Sequence, residues 1–325
     1  MKVPRRFAAF GYAMLGSLLI YGQALGQQYP SKPVHVVVPF TAGSATDILA
    51  RTFGQKLSEL WGQPVIIDNR PGAGGSIGAA FVAKAPADGY TLLVHSAAHA
   101  YNPSIYTNLP FDTEKDFVAV VPLAGQPNVL VVAPSAGVKS VAELVALARQ
   151  KPGQLNYGSA GTGSGTHINA EKFKLAAGID TLHVPYRGTP EALTDTINGR
   201  VDYFFAPVVA GLSMVRDGRL TALAVGSEKR SSVLPDVPTT EEAGYKGSAY
   251  NFWVGMFAPA GTPPALVERL NKEVAAALAA PEVKERLGAL GADASPTTPA
   301  ELDKIVTREL KENADLANKA GIKIQ

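Results

Sequence analysis

An α/β fold divided between two lobes is what the sequence predicts, on three observations. Short apolar runs alternate with helical periodicities along most of the chain, the pattern of repeated strand–helix–strand units. Two turns rich in glycine and hydroxyls each follow such a run and precede a helix, one early and one near the middle of the chain. The 325 residues are 46% hydrophobic, enough for a substantial core shared between two domains.

The first segment stands outside that core. Lys2, Arg5 and Arg6 precede an uncharged run over residues 7–20, and Ala24-Leu25-Gly26 offers the small residues of a cleavage site. Residues 1–26 therefore read as a secretory signal peptide, with Gln27 opening the mature chain. A membrane anchor is the competing reading, disfavoured by the polar Gln23, and Arg5-Arg6 leaves twin-arginine export open beside general secretion. Without that segment 27 basic side chains face 28 acidic ones, and the formal net charge moves from +2 to −1. A near-neutral chain has no electrostatic footprint for nucleic acid. Zero cysteines exclude disulfides and thiolate chemistry; five scattered histidines without a His-Glu-x-x-His pattern predict no metal, and no cofactor is expected.

The opening unit is the apolar run Val34 to Val38, the turn Pro39-Phe40-Thr41-Ala42-Gly43-Ser44-Ala45-Thr46-Asp47, and a helix over residues 48–60. A strand over 65–68, the glycine-rich turn from Asn69 to Ser76, an alanine-rich helix to about Lys84, and a strand over 90–94 complete a domain with a mainly parallel sheet. Residues 95–109, punctuated by Asn102-Pro103 and Asn108-Leu109-Pro110, read as loop with short helical turns. After extended runs at 117–123 and 129–132, Val141, Leu144, Val145 and Ala148 stripe a helix over 140–150. The second unit then runs through Leu155 to Tyr157, the loop Gly158-Ser159-Ala160-Gly161-Thr162-Gly163-Ser164-Gly165-Thr166-His167, and a helix over 167–177. Strands at 181–184, 201–205 and 220–225 alternate with helices at 189–198 and 208–216, and a strand follows at 252–257. Two last helix stripes, through Leu270 and through Val306, have no sheet between them and must return to the first domain. The expected division is residues 27–127 with 246–325 as one lobe and 128–245 as the other.

Both loops place backbone N–H groups at helix starts, where orphan amides and the helix dipole favour an anion. The glycine-rich turns at Gly72-x-Gly74 and Gly161-x-Gly163 both miss the dinucleotide fingerprint, which would need glycine where the chain has Ile77 and Thr166, and no triphosphate loop is present. Ligand-binding candidates are therefore Phe40, Thr41, Ala42, Gly43, Ser44, Thr46 and Asp47 from the first loop. From the second they are Ser159, Ala160, Gly161, Thr162, Gly163, Ser164, Gly165, Thr166 and His167. Tyr186, Arg187 and Phe205 add an aromatic wall and a cation. Each has a plainer reading: Asp47 as charge match for the first helical turn, His167 as a packing residue, Tyr186 and Phe205 as core edge, Arg187 as a solvated charge. A carboxylate ligand would avoid direct contact with Asp47, leaving water or backbone between them. No Gly-x-Ser-x-Gly elbow is present, yet a distant Ser-His-Asp set is not excluded by counting.

Taken together, Pro39-Phe40 through Asp47, Asn69-Arg70-Pro71-Gly72-Ala73-Gly74-Gly75, Ala87-Asp88-Gly89-Tyr90, Gly165-Thr166-His167, Pro185-Tyr186-Arg187-Gly188, Leu234-Pro235-Asp236-Val237-Pro238 and Ala258-Pro259-Ala260-Gly261 run in order across a chain that resembles the substrate-binding proteins of tripartite tricarboxylate transporters, the Bug-type periplasmic receptors. The resemblance implies a two-lobed periplasmic binding protein fold of the second structural type, two α/β domains joined by hinge crossings. It also implies a small organic carboxylate held between the two loops through backbone groups and ordered water, and a membrane permease as partner. One departure is that the family's opening loop usually carries two or three glycines, whereas Ser44 and Ala45 follow Gly43 here. The expected protein is a monomeric periplasmic receptor and not an enzyme. The rival readings are a periplasmic hydrolase using Ser164 and His167, and a receptor coupled to a sensor. A di- or tricarboxylate, an amino acid or an aromatic acid would each present a carboxylate to the same amides.

Overall fold

The computed structural model describes residues 29–322; the segment read as a signal peptide lies outside the described residues. β1 (Val34–Val38), α1 (Ala45–Trp61), β2 (Val65–Asn69), α2 (Ser76–Ala83) and β3 (Thr91–Ser96) form two successive units in which β1 pairs in parallel with both β2 and β3. Val36 and Val38 enter the core on one face of the sheet and Val37 the core on the other, which is why β1 reads as an unbroken apolar run.

A helix, α3 (Ala98–Ile105), occupies the stretch expected to be loop. Pro103 lies inside it and lacks the N–H that would reach the carbonyl of His99; the hydroxyl of Thr113 donates to that carbonyl instead, at 3.3 Å. Tertiary packing thus rescues a helix that the local signals argue against. β4 (Phe117–Gln126) then passes through Pro127 alone into β5 (Asn128–Val132), already in the other lobe.

The second lobe contains α4 (Val141–Gln150), β6 (Asn156–Ser159), α5 (Gly165–Ala177), β7 (Leu182–Pro185), α6 (Thr189–Ile197), β8 (Tyr203–Pro207), α7 (Val208–Arg216) and β9 (Thr221–Val225). Its sheet runs β7-β6-β8-β5-β9. β10 (Phe252–Pro259) carries the chain back, and α8 (Pro264–Ala279), α9 (Pro281–Ala289), β11 (Asp293–Ala294) and α10 (Pro299–Ala320) follow. The first sheet runs β11-β4-β10-β3-β1-β2, with α8 and α10 packed over β4.

The expectation of a mainly parallel sheet in the first domain needs correction, and the second sheet is mixed as well. β5 is antiparallel to β8 and β9, and β10 is antiparallel to β3 and β4. These two are the strands that arrive from the other sheet, and a strand entering from outside runs against its hosts. The parallel strands end toward one another, so the turns that leave them face a common cleft.

Two of the five histidines lie in the first lobe's interior. His95 and His99 are both fully buried, and the His99 ring packs against Phe117 and Phe257 with centroids 4.7 and 4.6 Å away. Burial pushes the His99 pKa from 6.5 down to about 3. The folded protein keeps the ring neutral while the unfolded chain takes up a proton as pH falls below 6.5, so stability present above that pH is lost below it. Removing this ring in a His99→Phe variant should shrink the difference in unfolding free energy between pH 7.5 and 5.5 by about 1.4 kcal/mol, read from urea denaturation. An identical pH slope in the two proteins would show that His99 is not held neutral.

Candidate ligand-binding cleft

The turn after β1 is built by Asp47. Its carboxylate accepts from the N–H of Gly43 at 2.9 Å, from Asn69 Nδ2 at 2.9 Å and from Arg51 Nε at 3.0 Å on both oxygens. Burial pushes this carboxyl up, but the Arg51, Gly43 and Asn69 hydrogen bonds outweigh it and hold the pKa below the ordinary value. Gly43 sits at φ +81°, a conformation that favours glycine, and Asn69 also donates to the carbonyl of Phe40 at 3.0 Å. Asp47 is a 2% exposed anchor whose acceptor capacity is taken up by the protein itself.

The turn after β6 repeats this construction. Gly43-Ser44-Ala45-Thr46-Asp47 and Gly163-Ser164-Gly165-Thr166-His167 share a Gly-Ser-x-Thr core followed by a side-chain acceptor. Gly163 has φ +85°, and its N–H donates to His167 Nδ1 at 3.1 Å, the counterpart of the Gly43–Asp47 bond. Ser44 and Ser164 hold the same extended backbone, with φ/ψ of −70/163° and −69/158°, and each hydroxyl meets the threonine two residues on, at 3.2 and 2.9 Å. Two differences matter. Ser164 caps α5 by accepting from the His167 N–H, whereas the Ser44 side chain makes no such bond, leaving one more amide open at the start of α1. Gly161, at φ +112°, donates its N–H to Ser159 Oγ at 3.1 Å, and Ala160 donates to Thr166 Oγ1 at 2.9 Å.

The amides of Gly43, Gly161 and Gly163 are therefore occupied inside their own loops. The orphan amides are those of the first helical turns, beginning at Ala45 and Thr46 in one lobe and Gly165 and Thr166 in the other. Those residues line a narrow cavity together with Phe40, Ser44, Ser96, Ala160, Ser164, Thr189, Pro207 and Phe252. Thr189 opens α6 and Pro207 precedes α7, so four helix N-termini reach one cavity. No side chain lining it is charged. Each helix start favours an anion by about 0.3–1 kcal/mol when exposed and up to ~2 when partly buried.

Of the remaining candidates, Thr41 is half-buried, Ala42 and Gly43 are exposed, and Thr162 is half-buried with its carbonyl accepting from Tyr106 of the other lobe at 3.0 Å. Tyr186 is half-buried and donates to Asp195 at 2.8 Å; Arg187 is exposed and does not line the cavity. Phe205 is fully buried in the second lobe's core, 5.5 Å from Phe173 between centroids. The lining residues outside the expected set are Ala45, Ser96, Thr189, Pro207 and Phe252. Ser96 and Pro207 end strands, Thr189 follows one at a helix start, and Phe252 opens the return crossing. Strand ends facing a cleft were a usable signal for the first three. The Ser164 hydroxyl meets the backbone N–H of His167 at 3.3 Å and Thr166, while the His167 ring serves Gly163, so the ring is not poised as base for Ser164.

Residues 49–322 match the tripartite tricarboxylate transporter family receptor. The fold superposes on the periplasmic binding protein BugD with a TM-score of 0.88 at 33% identity, covering 91% of this chain and 100% of that one. A protein from R. palustris with adipate gives 0.88 at 38% identity, covering 91% and 99%. MatC from Rhodopseudomonas palustris with bound malate gives 0.85 at 34% identity, covering 89% and 99%.

The anchoring role of Asp47 is testable. Asp47→Asn keeps the shape but removes the charge that Arg51, Gly43 and Asn69 address, and should lower unfolding free energy by about 2 kcal/mol in urea titrations. Unchanged stability would show that the carboxylate does not hold the turn.

Proposed function

Since the chain belongs to the tripartite tricarboxylate transporter receptor family, we propose that it is a periplasmic receptor that captures a small organic carboxylate between its lobes and hands it to the membrane permease of such a transporter. The observation that carries this reading is the neutral cavity reached by four helix N-termini, two of them opening from duplicated Gly-Ser-x-Thr turns in different lobes. Such a site holds an anion with amides and hydroxyls. It avoids the desolvation of a second, opposite charge, which a buried salt bridge would require. The adipate and malate bound by its structural neighbours set the starting range of ligands. The protein works by binding and closure, without turnover, as a monomer exported by a cleaved signal peptide.

Within the described residues, 29–127 with 246–322 move as one body and 128–245 as the other, hinged where β4 runs into β5 and where the chain returns before β10. The lobes meet at the cleft mouth: a Cβ at Gly188 would collide with Thr41 Oγ1 and lie 2.9 Å from the Thr41 Cβ. Gly188 has an extended backbone, φ −171°, which any residue adopts, so the obstruction arises only between closed lobes. Closure around ligand converts its differential affinity into a population shift toward the closed form.

Thermal unfolding against a panel of di- and tricarboxylates, amino acids and aromatic acids tests the receptor directly. A cognate ligand at a hundredfold excess over its Kd should add roughly 2.7 kcal/mol of stability, a shift of several degrees. No shift across the panel, in protein freed of co-purified solute, would overturn the carboxylate reading. Gly188→Ala should weaken binding of the hit at least about tenfold, equivalent to roughly 1.4 kcal/mol, while leaving the melting temperature of ligand-free protein within a few degrees. Unaltered affinity in that variant would contradict closure through this contact.

A further inference from the structure

We infer that His183, a residue of β7 outside the cavity lining, is the positioning residue for the second anion loop, an inference that deepens the receptor reading and rests on it. Both internal anchors of that loop lead to its ring. His183 Nε2 lies 2.6 Å from Ser159 Oγ, and the same hydroxyl accepts from the Gly161 N–H at 3.1 Å. The carbonyl of Gly161 in turn accepts from the N–H of Ser164, at 3.0 Å, which is the residue that caps α5. Fixing Ser159 therefore fixes Gly161, and through it the start of the helix. The second anchor is the His167 ring, whose Nδ1 accepts from the Gly163 N–H; it stacks on His183 at 4.1 Å between centroids and 17° between planes. Tyr157 covers His183 from β6, at 4.9 Å and 15°.

The hydrogen bonds assign protons. Accepting from Gly163, His167 Nδ1 carries none, so the neutral ring is protonated at Nε2. His183 either donates from Nε2 to Ser159 or accepts the serine proton, and both arrangements leave a lone pair of Ser159 Oγ for Gly161. Burial holds His167 well below its ordinary pKa and lowers His183 to about 4; the neighbouring histidine also lowers His167, and Lys174 adds in the same sense for both. The groups facing this pair are Lys174 and Glu171 of α5, which are ion-paired at 2.9 Å, and Tyr157 of β6, which is hydrogen-bonded to Glu171. The first lobe holds its corresponding turn with a carboxylate and Arg51. The second uses a neutral aromatic stack in the same place, so its geometry depends on the stack's fit and not on charge.

Two variants separate the hydrogen bond from the stack. His183→Phe keeps a flat ring against His167 but presents no partner to Ser159; His183→Gln presents an amide to Ser159 but no ring. In ligand-free protein, amide exchange followed by NMR should rise at least about tenfold at Gly161 in His183→Phe, and His183→Gln should restore protection there. By calorimetry with malate and adipate as probes, whichever binds the unaltered protein should bind His183→Phe about 3- to 10-fold more weakly, the range of one neutral hydrogen bond, and His183→Gln more tightly than His183→Phe. Unchanged Gly161 exchange in His183→Phe, or no recovery in His183→Gln, would overturn the assignment. Because exchange is read without ligand, a protein that binds no member of the carboxylate panel yet shows the expected exchange pattern retains the positioning role and loses the receptor reading instead.

Discussion

The bond from a glycine N–H to the side chain four residues later is the constraint on which the cleft depends. It occurs once in each lobe, from Gly43 to Asp47 and from Gly163 to His167, and it turns the backbone so that the next residue, Ser44 or Ser164, enters a helix. The glycines are needed because both sit at positive φ. Once their amides are tied back, they no longer serve a ligand. The donors that remain are the first-turn amides, fixed in direction by the helices that follow, so in the proposed site the loops act as mounts and the helix starts as the binding surface.

The proposed anion site has no cation in its lining. The lining is hydroxyl, aromatic and small, and its favourable potential comes from four helix starts brought together by two sheets whose parallel strands end at the cleft. Arg51 is close to the first loop in sequence but is committed to Asp47, and Arg187 is exposed. A receptor has reason to avoid a buried guanidinium: it would raise affinity through a strong charge-assisted pair and slow release, whereas dipoles and hydroxyls hold a carboxylate with a shallower well. The hydroxyl pairs Ser44–Thr46 and Ser164–Thr166 can reorient their protons to suit the ligand that arrives.

The lobes are joined with little slack. Pro127 alone separates β4 from β5, and the strands that cross are also those that break the parallel order of their host sheets. Phe252 begins the return strand and its ring lies where a Cβ on Gly165 would be, 2.6 Å away, so the hinge itself forms a wall of the cavity.

Most elements were legible in sequence because their signals are local: the valine run of β1 and the stripes of α4 and α10. So were both loops, since a glycine, a serine at the helix's N-cap position and an acceptor at i+4 lie within five residues and need no distant partner. What sequence could not supply depends on contacts between remote segments. The helix around Pro103 exists because Thr113 serves the carbonyl that proline leaves, and the reversed strands exist because the chain crosses between sheets twice. Likewise Ser96, Thr189, Pro207 and Phe252 become neighbours of Ser44 and Ser164 only when the strand ends meet, and His183 reaches Ser159 only by pairing of β7 with β6. By itself the sequence determined which turns could present amides to an anion, because backbone dihedrals and helix starts are set over a few residues. The tertiary structure alone decided which amides are left open and what surrounds them, because hydrogen-bond occupancy and burial are properties of every segment that comes within reach.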